Sequence, residues 1–204
     1  MPAADRQSWL VAGLGNPGPE YERTPHNLGF LAVDRLAARQ AIRVTRKEAN
    51  SLVGLGQVAG VPVVLVKPQT FMNVSGPAVK ALLDRYELGA ANLLLVYDEL
   101  ALPWTQLRIR PKGSSAGHNG VKSVIRCVGT EEFARLRLGI HPGHPVGESV
   151  KYVLEPFRKP LWKELDEMLD QAADAIESIL AEGVEKSMAK YNNRHAQGST
   201  KEET

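Results

Sequence analysis

The 204-residue chain carries 25 lysines and arginines against 23 aspartates and glutamates, and 43% of its residues are hydrophobic. That is globular composition at single-domain length, and it excludes wholesale disorder and a collagen-like repeat. One cysteine, Cys127, rules out an internal disulfide, and the longest apolar stretch, residues 61–66, is too short to cross a bilayer.

The first residues, MPAADRQS, are polar and lack the apolar core of a secretory signal, so a reducing cytoplasm is the expected location. Residues 8–13 (SWLVAG) read as a buried strand, followed by a Gly/Pro-rich turn through Pro19. Helical periodicity starts at Asn27, with Phe30, Val33, Leu36 and Ala37 on one face. Residues 52–58 and 61–67 form two β-rich runs around Ala59-Gly60, a hairpin pattern. Asn73, Ser75 and Pro77 open a second helix, whose Val79, Leu82, Leu83 and Tyr86 repeat at helical spacing.

Residues 93–97 are continuously apolar and end in Asp98-Glu99, as expected of a central strand with carboxylates at its C-terminal edge. An alternating run at 106–110, a glycine- and serine-rich loop at 113–117 and a helix stopped by Gly129 follow. A further alternating strand covers 135–140, and a long amphipathic helix carries Leu161, Leu165, Met168, Leu169, Ala172, Ile176 and Ile179 on one stripe. The order of elements predicts one α/β domain over residues 1–192, a mixed twisted central sheet flanked by helices, with a flexible polar tail at 193–204.

Charge is unevenly spread along this order. Residues 104–140 hold seven lysines and arginines against two glutamates, an excess of +5, while 151–185 hold four basic residues against nine acidic ones. Segregation of this kind points to a polyanionic ligand. Alternation places Arg108 with Arg110, and Arg135 with Arg137, on one sheet face each. Two such strands side by side would make a guanidinium cluster able to grip a phosphate.

Polar residues also gather where strands end and helices begin: Asn16, His26-Asn27, Asn73, Asp98 and His118-Asn119. In open α/β sheets that edge is where ligands bind. Asn73 and Asn119 each also suit a helix cap. An asparagine offers a donor and an acceptor without charge, which suits gripping an ester or peptide carbonyl. His26, at a helix start, becomes a general base if Asp98 fixes its tautomer. Gly13-Leu14-Gly15-Asn16-Pro17-Gly18 matches the dinucleotide fingerprint, but Pro17, Gly18 and Pro19 delay the helix that the motif requires. His141 and His144 have spacing and company too poor for a metal site.

The motifs together resemble those of bacterial-type peptidyl-tRNA hydrolase. The resemblance rests on Gly13-Leu14-Gly15-Asn16-Pro17-Gly18, Tyr21, Thr24-Pro25-His26-Asn27-Leu28-Gly29, and Lys67-Pro68-Gln69-Thr70-Phe71-Met72-Asn73-Val74-Ser75-Gly76. Tyr97-Asp98-Glu99-Leu100, Gly117-His118-Asn119-Gly120 and residues 133–140 follow in the family's order. It implies hydrolysis of the ester joining peptide to tRNA by a monomer without metal or other cofactor. It implies further that His26 is the base, that Asp98 orients it and that Asn16 completes the catalytic set. Asn73 and Asn119 would position the peptide, and Tyr21, Met72 and His118 would shape the cleft. Arg110 and Arg137 fall where the family clamps the tRNA 5′-phosphate. Pro25 departs from the family's usual arginine, and loop 113–117 is poorer in glycine than usual. A non-catalytic RNA-binding protein on the same fold is the alternative.

Overall fold

The computed structural model describes residues 7–192. Seven strands form one mixed sheet in the order β2-β3-β4-β1-β5-β7-β6. β1 (Trp9–Gly13) lies between β4 (Val61–Pro68) and β5 (Leu93–Pro103), parallel to both, and β5 pairs in parallel with β7 (Ala134–His141). These central strands are buried on both faces, which is why they read as unbroken apolar runs. β2 (Arg46–Glu48) and β3 (Ser51–Val58) extend one side antiparallel, and β6 (Leu107–Arg110) closes the other against β7.

Side-chain alternation sorts the interior into two layers. Val11, Leu94, Val96, Leu136 and Leu138 face α1 (Leu28–Arg39) and α5 (Trp162–Glu182). Leu10, Ala12, Leu93, Leu95 and Tyr97 face α2 (Ser75–Arg85) and α3 (Asn119–Val128). Met168, Ala172 and Ile176 of α5 are fully buried, as the predicted stripe requires. Each large apolar side chain so placed contributes about 1.5–3 kcal/mol of transfer free energy.

Several details differ from the sequence reading. β5 does not stop at Tyr97 but runs to Pro103 through an irregularity after Glu99, so Asp98 and Glu99 sit inside a strand. A short helix, α4 (Ser149–Leu154), and a C-terminal helix, α6 (Val184–Tyr191), add to the predicted set. Gly183, at φ 91°, separates α5 from α6. The tail expected at 193–204 lies outside the described residues.

The Gly13–Gly18 segment is built for packing. A methyl group on Gly29 would lie 2.3 Å from backbone atoms of Leu14 and Val96, and one on Gly13 would lie 2.1 Å from the Gly29 carbonyl oxygen. The two glycines let α1 lie directly on the end of β1, and the Leu14 N–H donates to the Val96 carbonyl at 2.9 Å. The fingerprint-like spacing thus serves close helix–sheet contact.

The acidic face of α5 is partnered. Arg35 and Arg39 of α1 interleave with Asp166, Asp170 and Asp174 at 2.7–2.8 Å. At the other edge, Asn192 accepts the Ile109 N–H at 2.8 Å and donates to the Ile109 carbonyl at 3.1 Å. Its amide thereby imitates a neighbouring strand for β6.

Candidate active site

The parallel strands deliver their polar ends to one place. The turn after β1 brings Asn16, and the 3-10 turn Pro25–Asn27 that starts α1 brings His26. The 3-10 turn Met72–Val74 after β4 brings Met72 and Asn73, β5 brings Asp98, and the start of α3 brings His118 and Asn119. Together with Tyr21 these residues line a cleft of about 590 Å³. The connection from β1 leads to α1 on one face of the sheet and that from β4 leads to α2 on the other, and a crevice opens between them.

Asp98 is the buried centre, with 3% of its side chain exposed. His26 Nδ1 lies 3.0 Å from both of its carboxylate oxygens. From the other side, His118 Nε2 lies 2.9 Å from Oδ1. Burial alone would push the Asp98 carboxyl up, but the electropositive, hydrogen-bonding N–H of His118, then that of His26, outweighs it and holds the carboxyl well below the usual carboxylate range. Asp98 is therefore an ionised acceptor, and both histidines donate to it. The rings of His26 and His118 stand 5.0 Å apart, and Tyr97 meets His118 edge-on at 5.0 Å.

Local chemistry explains how each side chain is held. Pro25 occupies the first position of its turn, where the N–H it lacks would have had no helical partner and its fixed φ suits the turn. Asn16 and Asn27 lock the two turns together. The Asn16 N–H donates to Asn27 Oδ1 at 2.8 Å, and Asn27 Nδ2 donates to the Asn16 carbonyl at 3.0 Å. Asn16 Oδ1 accepts the Met72 N–H at 2.7 Å, which turns the Asn16 NH2 group to the remaining direction. Gly120 leaves room for the site, since a methyl group there would meet Met72 Sδ at 2.4 Å. Ahead of it, loop 113–117 takes left-handed turns at Ala116 and Gly117.

The donor atoms of His26, Asp98 and His118 lie within 4.8 Å of one another, close enough to invite a metal ion. Both facing nitrogens carry the protons that Asp98 accepts, so the trio is arranged for hydrogen bonding among its own members. His141 ends β7, where its Nδ1 accepts the Gly143 N–H at 3.1 Å.

The arginines lie outside the cleft. Register pairs Arg108 with Arg137 and Arg110 with Arg135, so all four share the sheet face that α2 and α3 cover, opposite to acidic α5. They do not form one open cluster. Arg110 is exposed, whereas Arg135 is fully buried. Arg135 donates to the Ser114 carbonyl at 2.6 Å and lies over the Phe133 ring at 4.6 Å. It thus fastens the loop that leads to His118. Arg137 donates to the Tyr97 hydroxyl at 3.2 Å and approaches Glu99 at 3.4 Å, next to the cleft.

Sequence reasoning missed the apolar side of the cleft, formed by Phe71, Leu100, Val150, Val153 and Leu154. Phe71 and Val150 are among the most exposed large apolar residues of the protein. Three of the five belong to α4, whose six residues are too few to show a period.

Comparison with known proteins agrees with this geometry. A family model described as peptidyl-tRNA hydrolase matches residues 10–199. A Solibacter usitatus peptidyl-tRNA hydrolase is 55% identical over 96% of this chain and 99% of its own. One from Koribacter versatilis is 45% identical over 91% of this chain and 92% of its own. Among solved structures, the Acinetobacter baumannii peptidyl-tRNA hydrolase superposes with a TM-score of 0.82 at 32% identity, covering 90% of this chain and 94% of that one.

Proposed function

The chain belongs to the peptidyl-tRNA hydrolase family, and we propose that it performs the family's reaction with His26 as the base and Asp98 as its orienting partner. It hydrolyses the ester between peptide and tRNA, releasing free tRNA. His26 Nε2 takes a proton from water as the oxygen attacks the ester carbonyl, and Asp98 stabilises the imidazolium that results. The Asn16 NH2 group donates to the oxyanion as it develops. The ribose oxygen leaves far more readily than an amine, which makes the ester the target.

Asn73 and Asn119 hydrogen-bond the peptide backbone, and Tyr21, Met72 and His118 shape the cleft around the terminal nucleotide. A free aminoacyl group brings a charged amine to these partners and leaves them unmatched, so peptides are preferred. Arg110 and Arg137 bind the tRNA 5′-phosphate. The protein acts as a monomeric single hydrolase domain over residues 1–192, in the cytoplasm, without a metal or other cofactor.

The observation that carries this reading is the contact of His26 Nδ1 with both oxygens of buried Asp98, 3.0 Å each, at the border of the cleft. The test is hydrolysis of N-acetyl-aminoacyl-tRNA by wild type and His26→Ala. A loss of roughly 10²–10⁴-fold is expected, and comparable rates would sink the assignment.

A further inference from the structure

We propose that His118 is a positioning residue for catalysis: it caps α3 through Nδ1, presents a fixed Nε2–H to Asp98, and so aims the carboxylate that orients His26. This rests on His26 being the base, and it assigns His118 a task beyond lining the cleft.

The argument starts from a group that can only donate. The Val121 backbone N–H points at His118 Nδ1 at 3.3 Å, so that nitrogen is the acceptor. A neutral imidazole carries one proton, and here it stays on Nε2. Nε2 is the atom 2.9 Å from Asp98 Oδ1. Both nitrogens of His118 are thereby committed, and only 9% of its side chain is exposed. His26 is arranged in the opposite sense. Its Nδ1 faces Asp98, an acceptor, so Nδ1 holds the proton and Nε2 keeps its lone pair for the cleft.

The two rings therefore hold opposite tautomers on one carboxylate, and only one of them is left able to take a proton from water. The fixed end is set by a helix: α3 holds His118 through its cap, and the Lys122 N–H donates to the His118 carbonyl at 3.0 Å. A helix terminus thus sets the direction of the Asp98 oxygens to which His26 is bound.

Other charges around His118 do not compete for this role. Tyr97 meets the ring edge-on, with its hydroxyl occupied by Arg137. Glu99 accepts the Ala101 N–H and approaches Arg137. Tyr21 borders the cleft, and the α4 residues that line it carry no charge. Among the described residues, Asp98 is the one charged side chain paired with His118.

Two variants separate the cap from the donor. His118→Asn keeps an oxygen able to cap the Val121 N–H but is too short to reach Asp98. His118→Gln is long enough to return an N–H to Asp98. The Asn variant should keep the wild-type melting temperature within a few degrees. With N-acetyl-aminoacyl-tRNA its kcat should fall roughly tenfold, with KM within about twofold. The acid limb of kcat/KM should move to higher pH, because the charge of Asp98 is then spent on His26 alone and favours its protonated form. The Gln variant should recover part of the rate.

Nitrogen-15 NMR of the wild-type imidazoles gives the direct readout: His118 protonated on Nε2, His26 on Nδ1. A raised KM with an unmoved acid limb, or a His118 proton found on Nδ1, would overturn the proposal. If His118→Asn fails to fold, the wild-type spectrum decides. Wild-type rates in His26→Ala would instead defeat the assignment of the base itself.

Discussion

Asn16 Oδ1 accepts the Met72 N–H at 2.7 Å, and that one bond determines which end of the Asn16 amide can meet a substrate. The backbone N–H cannot accept, so the carboxamide oxygen is fixed inward and its NH2 group is left as the donor. Asn16→Asp keeps the oxygen that Met72 needs and replaces the donor with a second oxygen. The variant should fold with the wild-type circular dichroism spectrum. Single-turnover hydrolysis of N-acetyl-aminoacyl-tRNA should slow by about 10²–10³-fold, the usual consequence of removing an oxyanion donor. A variant that hydrolyses at near wild-type rate would show that the donor lies elsewhere.

Asp98→Asn tests the centre of the hydrogen-bond system. The carboxamide fills the same space, but its NH2 group must face one of two imidazole nitrogens that are themselves donors. One ring is then forced into the wrong tautomer. The expected loss in kcat is on the order of 10²–10⁴-fold with a lowered melting temperature, read by steady-state kinetics beside a melting curve.

The pH dependence follows from the same carboxyl group. Its folded-state pKa is depressed, so the stability it contributes is fully present above the unfolded value of about 4 and is lost only as pH falls through the lower folded value. Between pH 5 and 8 Asp98 stays ionised and adds no step of its own to the activity profile. A melting curve recorded against pH should show the loss of this contribution only below about pH 4.

The ladder between α1 and α5 is a separate matter of stability. The Arg35 hydrogen bond, then burial acting against it, then the Arg39 hydrogen bond leave the Asp170 carboxyl below its ordinary value. These side chains are partly exposed to water, which screens them, so Asp170→Ala should cost only about 1 kcal/mol. That contribution is also present above about pH 4 and lost below it. Chemical denaturation with urea at low and high salt should find the difference from wild type shrinking as salt rises. Activity at pH 7 should be unchanged.

For the proposed phosphate site, Arg110→Ala is the cleaner variant, because Arg110 is exposed. Combined with Arg137→Gln, it should weaken tRNA binding and reduce the slope of log K against log salt by about 1–2. A double variant with the wild-type slope would move the phosphate contact to other residues.

Much of this site was legible before folding, because strand ends and helix starts mark themselves with Gly, Pro and Asn. His26 and the three asparagines belong to such punctuation, Asp98 lies inside β5 directly after its apolar run, and all five line the cleft. What periodicity could not give was depth. Arg135 and Arg137 share one face by alternation, yet loop 113–117 and Phe133 cover the first and leave the second at the border of the cleft. Nor could it give the second histidine on Asp98. That contact depends on where a glycine-containing loop sets down the first turn of α3, and such loops have no period to read. The C-terminal helix escaped notice because Gly183 interrupts the stripe after the long helix has ended.

By topology β6 is an edge, and an edge strand offers its free backbone groups to any passing chain. At Ile109 that offer is already taken up by Asn192, more than eighty positions along the sequence. A strand that carries Arg108 and Arg110 is thereby closed to strand addition, in the middle of its length, by the protein's own chain. The same amide ties the end of α6 to the residue between Arg108 and Arg110. Any loosening of that helix would reach the arginines as a change in footing, with no contact to the cleft altered.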